Sequence, residues 1–162
     1  MLRHLSQYNL FIKETKIAAL LHDIGSLEGK EGHAKRSYEY AKKYFEQHNF
    51  HLIHEAIKEH SNGFETHNLI ALVLILADNL DITKKRLAPA GYKIAGLNEI
   101  QFIESIEVSI INEIFYVHFI TQLNCNQESF ENFYFSKQVF KAMKSFSKRL
   151  DLNYVATLNN KE

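Results

Sequence analysis

Hydrophobic positions recur with a helical period through the first half of the chain. Between Glu14 and Asp23 the apolar residues Ile17, Ala18, Leu20 and Leu21 predict a helix that stops near Gly25. A loop from Gly25 to Gly32 carries three glycines and three charged residues. His33 to His48 then places Ala34, Tyr38, Ala41 and Phe45 on one helical face. His51 to His60 repeats the pattern with Ile53, Ala56 and Ile57, up to the turn signal Ser61-Asn62-Gly63. Asn68 to Leu80 is apolar nearly all round, which predicts a central buried helix.

The pattern changes after residue 87. Ala88 to Gly96 holds the only proline, Pro89, and two glycines, as a linker or long loop does. Two runs with β-type alternation follow, Phe102 to Ile111 and Ile114 to Gln122, separated by Asn112-Glu113, and they predict a hairpin. Phe130 to Leu150 reads as a closing helix with Phe133, Val139, Phe140, Met143 and Phe146 facing inward. The expected fold is mostly α, with a helical domain over 1–90 and a C-terminal β-hairpin-plus-helix extension over 91–162 packed on it.

Composition narrows the classes. The 162 residues suffice for one well-packed domain, and 46% hydrophobic content with 23% charge belongs to a globular chain. Lys+Arg and Asp+Glu balance at 19 each, so bulk charge gives no argument for nucleic acid. One cysteine, Cys125, excludes an internal disulfide framework and fits a reducing compartment. The N-terminus has no sustained apolar stretch, and the longest apolar run, Leu69 to Ala77, is too short for a bilayer. A cytoplasmic protein without a membrane partner is the expectation.

The histidines add chemistry to this picture. Eight of the nine fall between His4 and His67. His22-Asp23 ends an aliphatic helix, His33 opens the next, His60 shares a face with Ala56 and Ile57, and Asp78 follows LIALVLILA directly. An uncompensated carboxylate on an apolar helix is costly, so each placement asks for a partner. Taken singly, each residue has a structural explanation: a helix-terminal polar pair, an Asp78 bridge to Lys84 or Arg86, a capping His33, a satisfied core His60. Taken together, imidazoles and carboxylates converging from separate helices suit a divalent ion.

The order of these residues resembles the HD superfamily of metal-dependent phosphohydrolases. The segments carrying the resemblance are AALLHDIG (18–25), GHAKRSYEYA (32–41), AIKEHSNG (56–63) and LADNLDITKKRL (76–87). EHSNG is also similar to bacterial hydrolases that cleave diadenosine tetraphosphate symmetrically. The resemblance implies an HD-type helical bundle in which His22, Asp23 and Asp78 hold the principal ion. Asp23 bridges to a second ion held by His33 and His60 and orients the attacking water. It further implies one or two divalent ions per chain (Fe, Mn, Zn, Ni or Mg) and a small phosphorylated substrate, such as a nucleotide. Lys30, Arg36, Asn62 and Arg86 lie beside the motif segments as candidates for binding substrate phosphates. The family usually adds a metal-binding histidine well upstream of the doublet. Only His4 precedes it here, so either His4 fills that place or the ligand set is incomplete.

Two further readings stay open. A degenerate HD domain would bind a nucleotide or partner without hydrolysis, and a homodimer could supply a missing ligand. Residues 91–162 carry no assignable catalytic motif. Lys137, Lys141, Lys144 and Lys148 form a basic stripe at i, i+4, i+7 and i+11, which is either a solvated face or a surface for phosphate-rich ligands.

Overall fold

The computed structural model describes residues 2–45, 50–61, 63–87, 89–93 and 98–159. The chain forms two compact units, Met1–Ile75 and Leu76–Glu162. Among the described residues, six α-helices and a small C-terminal sheet make it mostly α, as the periodicity predicts.

The first unit is helical. α1 runs Leu2–Leu21, a dozen residues further upstream than the hydrophobic pattern indicated. A 3-10 turn, Ile24–Glu28, follows, then α2 over His33–Phe45 and α3 over His51–Glu59. α4, Leu69–Leu80, crosses the division between the units. Asn68 starts α4 by accepting the Ile70 amide on Oδ1 at 3.0 Å. The core joins Ala18 of α1, Ala41 of α2, Ile53, Ala56 and Ile57 of α3, and Ile70, Ala71 and Leu74 of α4. Small residues at 18, 41 and 56 are fully buried, so the helices approach closely at those points. Leu20, expected on the buried face, is 80% exposed. It lies two residues, or about 200° of helix, from the buried Ala18 and therefore on the opposite side.

The second unit begins within α4. Its core helices and sheet follow three 3-10 turns, Lys84–Arg86, Pro89–Lys93 and Asn98–Phe102, the second of which occupies part of the expected linker. β1, Ile103–Ile111, and β2, Ile114–Thr121, form the expected antiparallel hairpin. Asn112 and Glu113 both take positive φ (50° and 64°), the handedness that a two-residue hairpin turn requires. The closing helix is two helices: α5, Gln127–Asn132, capped by Asn126, and α6, Tyr134–Leu150. The break at Phe133 was not apparent from periodicity, because its buried ring continues the apolar pattern.

A third strand also escaped the pattern. β3, Asn153–Leu158, lies parallel to β2, giving the order β1-β2-β3. Asp151 reverses the chain out of α6 in the left-handed conformation, and the Leu152 amide donates to Ser147 O at 2.9 Å. Phe115, Val117 and Phe119 alternate into the core of this unit; Phe115 meets Phe146 and Phe119 meets Phe130, with ring centroids 5.0 and 5.1 Å apart. The lysine stripe of α6 is exposed at all four positions. Among the described residues, no helix is long and apolar enough to cross a membrane.

Candidate metal centre

The end of α1 delivers the His-Asp doublet. The His22 amide still donates to Ala18 O at 2.9 Å, and Asp23 then leads into the 3-10 turn. Gly25 decides what comes next to the doublet. Its amide donates to the buried Ser37 Oγ at 2.9 Å. A Cβ at this position would sit 2.6 Å from both His33 O and Ser37 N. Only glycine lets the turn approach the first turn of α2 so closely, and this contact brings His33 beside Asp23. His60 arrives at the C-cap of α3, 2% exposed, at the end of its Ile53-Ala56-Ile57 face.

Four side chains converge. Asp23 Oδ1 lies 3.1 Å from His33 Nε2 and 3.8 Å from His60 Nε2. The two Nε2 atoms are 3.0 Å apart. One ligand atom each of His22, Asp23 and His60 falls within 4.8 Å of the others. The His22 and His33 rings meet the His60 ring edge-on, with centroids 4.9 and 5.0 Å away.

Backbone carbonyls fix the orientation of all three imidazoles. His22 Nδ1 donates to Ala19 O at 2.7 Å, His33 Nδ1 to Lys30 O at 2.7 Å, and His60 Nδ1 to Ile57 O at 2.6 Å. A carbonyl can only accept, so Nδ1 carries the hydrogen in each case and Nε2 is the nitrogen left to face the cluster. Imidazole nitrogens and a carboxylate gathered in one small volume need a proton or a metal cation among them; with no ion present, the 3.0 Å contact between the His33 and His60 Nε2 atoms takes a proton on one of them. This donor set, with Nδ1–H groups anchored behind it, fits a divalent ion with nitrogen and oxygen ligands.

The other candidates are distributed differently. Lys30 is exposed, with Nζ 3.8 Å from Asp23 Oδ2, so its ammonium borders the cluster. Arg36 donates Nε to Gly25 O at 3.0 Å, Nη1 to Glu31 O at 2.7 Å and Nη2 to Gly29 O. Its guanidinium is occupied by the loop rather than turned out to solvent. Asn62 lies outside the described residues. Arg86 pairs with Asp81 at 2.8 Å, not with Asp78, in an exposed bridge of the second unit. Asp78 also belongs to the second unit and is exposed on the last turn of α4, which corrects the expectation of a carboxylate trapped in an apolar surround. The sequence offered His4 as the upstream ligand. Its backbone lies in α1, eighteen residues before His22.

Two serines complete the site and were not singled out from sequence. Ser61 Oγ is 3.3 Å from both His33 Nε2 and His60 Nε2. Ser37 is fully buried beneath the Gly25 amide. Ser61 stood within the quoted EHSNG, and its adjacency to His60 was the available signal. Ser37 had a weaker one, a hydroxyl one turn past His33 on a face shared with Ala41.

A family model described as HD domain matches residues 1–83. Neither the curated proteins nor the solved structures compared with the chain include a match.

Proposed function

The chain belongs to the HD domain family, and from that premise we propose that it is a metal-dependent phosphohydrolase. Its proposed substrate is a phosphate ester or anhydride of a nucleotide or a similar small molecule. The observation that carries the reading is the set of three Nδ1–H anchors, which leave the Nε2 atoms of His33 and His60 facing the Asp23 carboxylate, with His22 grouped beside them. Such anchoring is how proteins orient histidines for a metal, and here all three anchored rings meet at one carboxylate, which capping of the α1 and α3 ends by His22 and His60 does not by itself require. When bound, a divalent ion polarises a phosphoryl oxygen and lowers the pKa of water.

The chain's own residues supply the rest. His22, Asp23, His33 and His60 are the proposed ligands, with Asp78 added on the family resemblance alone. Asp23 is the proposed catalytic group, orienting the attacking water with a carboxylate that also faces two histidines. The Lys30 ammonium, exposed beside Asp23, steers a phosphate oxygen toward the cluster. Ser61 adds a hydroxyl donor at the same place.

The test begins with metal content. Protein purified without chelators or a histidine tag is expected to hold one or two equivalents of divalent metal. It is further expected to release phosphate or a nucleoside phosphate from a panel of small phosphate esters. Asp23→Ala should abolish turnover while the far-UV circular dichroism spectrum is retained. Folded wild-type protein that takes up no added metal would refute the reading in favour of an HD domain that binds without hydrolysing.

A further inference from the structure

We infer that Arg36 is a positioning residue: its guanidinium clamps the loop between the two histidine-bearing helices and thereby sets which nitrogen of His33 faces the cluster. The three bonds described above go to the carbonyls of Gly25, Gly29 and Glu31. Two of these carbonyls flank Lys30, and the Lys30 carbonyl is the acceptor that holds His33 Nδ1–H at 2.7 Å. Arg36 sits one helical turn after His33, so one side chain ties the loop to the same helix that carries the histidine. A planar fork of five N–H donors can hold three carbonyls at once, which an ammonium cannot.

Beyond Arg36, the loop is held by the Gly29 amide on Ser26 O at 3.0 Å, the His33 amide on Lys30 O at 3.3 Å, the Lys30–Asp23 pair at 3.8 Å and the Tyr40 hydroxyl on Glu28. Gly29 and Gly32 both take positive φ (113° and 68°), and Glu28, Gly29, Lys30, Glu31 and Gly32 are all exposed. Without the clamp, the Lys30 carbonyl keeps only the long 3.3 Å bond from the His33 amide to hold it, which leaves it free to tilt, and the ring can turn its other nitrogen toward Asp23. His22 and His60 behave differently. Their acceptors, Ala19 O and Ile57 O, lie within α1 and α3 and owe nothing to Arg36. The effect of losing Arg36 is therefore confined to one of three histidines. This contrast separates a positioning role from general support of the fold. A basic residue beside a phosphohydrolase motif suggests a phosphate ligand, but the geometry assigns Arg36 to the loop.

The consequence for metal binding rests on the reading proposed above, whereas the state of His33 can be read with no ion present. Uniformly 15N-labelled protein, treated with chelator and held near pH 8.5, about two units above the ordinary imidazole pKa, is compared with Arg36→Met by long-range 15N–1H correlation of the imidazoles. Wild type is expected to show hydrogen-bonded Nδ1–H groups on His22, His33 and His60. Arg36→Met should lose the His33 signal alone, and its Mn2+ affinity should fall about tenfold to hundredfold, the usual effect of removing a group that orients a ligand. If Arg36→Met does not fold, Arg36→Lys is read in its place; it can hold one carbonyl, and the His33 Nδ1–H should weaken while the other two persist. A His33 Nδ1–H unchanged in the variant would overturn the inference. So would simultaneous loss of all three signals, which would mark Arg36 as a general support of the fold. If wild type shows the three signals but binds no Mn2+, the metal reading fails and the Arg36 assignment stands on its spectrum.

Discussion

Gly25→Ala tests the contact on which the whole site depends. The added Cβ would meet His33 O at 2.6 Å, Ser37 N at 2.6 Å and Arg36 Cβ at 2.7 Å. To reach the 3.4 Å of ordinary contact, each atom must retreat by about 0.7–0.8 Å. Two of the three belong to the α2 backbone, so no rotamer change relieves them and the first turn of the helix has to move. Overpacking of this kind costs about 1–3 kcal/mol. The same movement stretches the Gly25 N–H to Ser37 Oγ bond, and leaving those buried groups unpaired costs about 1–3 kcal/mol more. The expected loss is thus about 2–6 kcal/mol from a domain whose total stability is on the order of 5–15 kcal/mol. Gly32→Ala is the control. Its φ of 68° strains any other residue by about 1–2 kcal/mol, but its Cβ meets nothing nearer than the far end of Arg36 at 3.4 Å. Urea unfolding followed through the amide signals of α2 and α3 reads both variants in the unit concerned. A Gly25→Ala variant within 0.5 kcal/mol of wild type, or no less stable than Gly32→Ala, would refute the close-approach argument.

Two more outcomes are expected. Burial, followed by the nearby His51, holds the His54 pKa below its ordinary value of 6.5, and its Nε2 is buried with no hydrogen-bond partner among the described residues. The fold thus prefers neutral His54: its contribution is complete above pH 6.5 and is lost as pH falls below it, because the unfolded chain takes up the proton first. The Tm of wild type should drop more steeply between pH 7 and 5 than that of His54→Phe, and equal slopes would count against the assignment. In the second unit, Phe115→Ala removes a ring that is 1% exposed and stacked near Phe146. A loss of about 3–5 kcal/mol is expected in the denaturation of α6 and the sheet, and a loss under 1 kcal/mol would show that the site collapses to fill the space.

Local pattern made much of this protein legible. The spacing of Ala41, Ile53, Ala56 and Ile57 gives the faces of α2 and α3, and those faces are buried. The hairpin followed from alternation on both sides of Asn112-Glu113. His22, Asp23, His33 and His60 stood out as ill-suited to their surroundings, and the structure brings those four together. What local pattern does not contain is the identity of the neighbour. β3 escaped notice because NYVATL has meaning only against β2, with residues 122–152 between them. Asp78 looked trapped because the helix before it is apolar, yet Asp78 itself is exposed. Arg36 illustrates the same limit at a single side chain, since a sequence names the donor and leaves the three carbonyl acceptors unspecified.

The parallel pairing of β3 with β2 also bears on how the second unit is made. The first unit draws its core from residues 18 to 74 and joins helices that are neighbours along the chain, so its contacts can form early in synthesis. The sheet cannot close in that way. β2 keeps one edge unpaired until α5, α6 and finally residues 153–158 have left the ribosome. At translation rates of about 5–20 residues per second, Phe115, Val117 and Phe119 wait for seconds beside an open strand edge. Until residues 153–158 take their place, β2 presents an open edge ready to pair with the wrong partner.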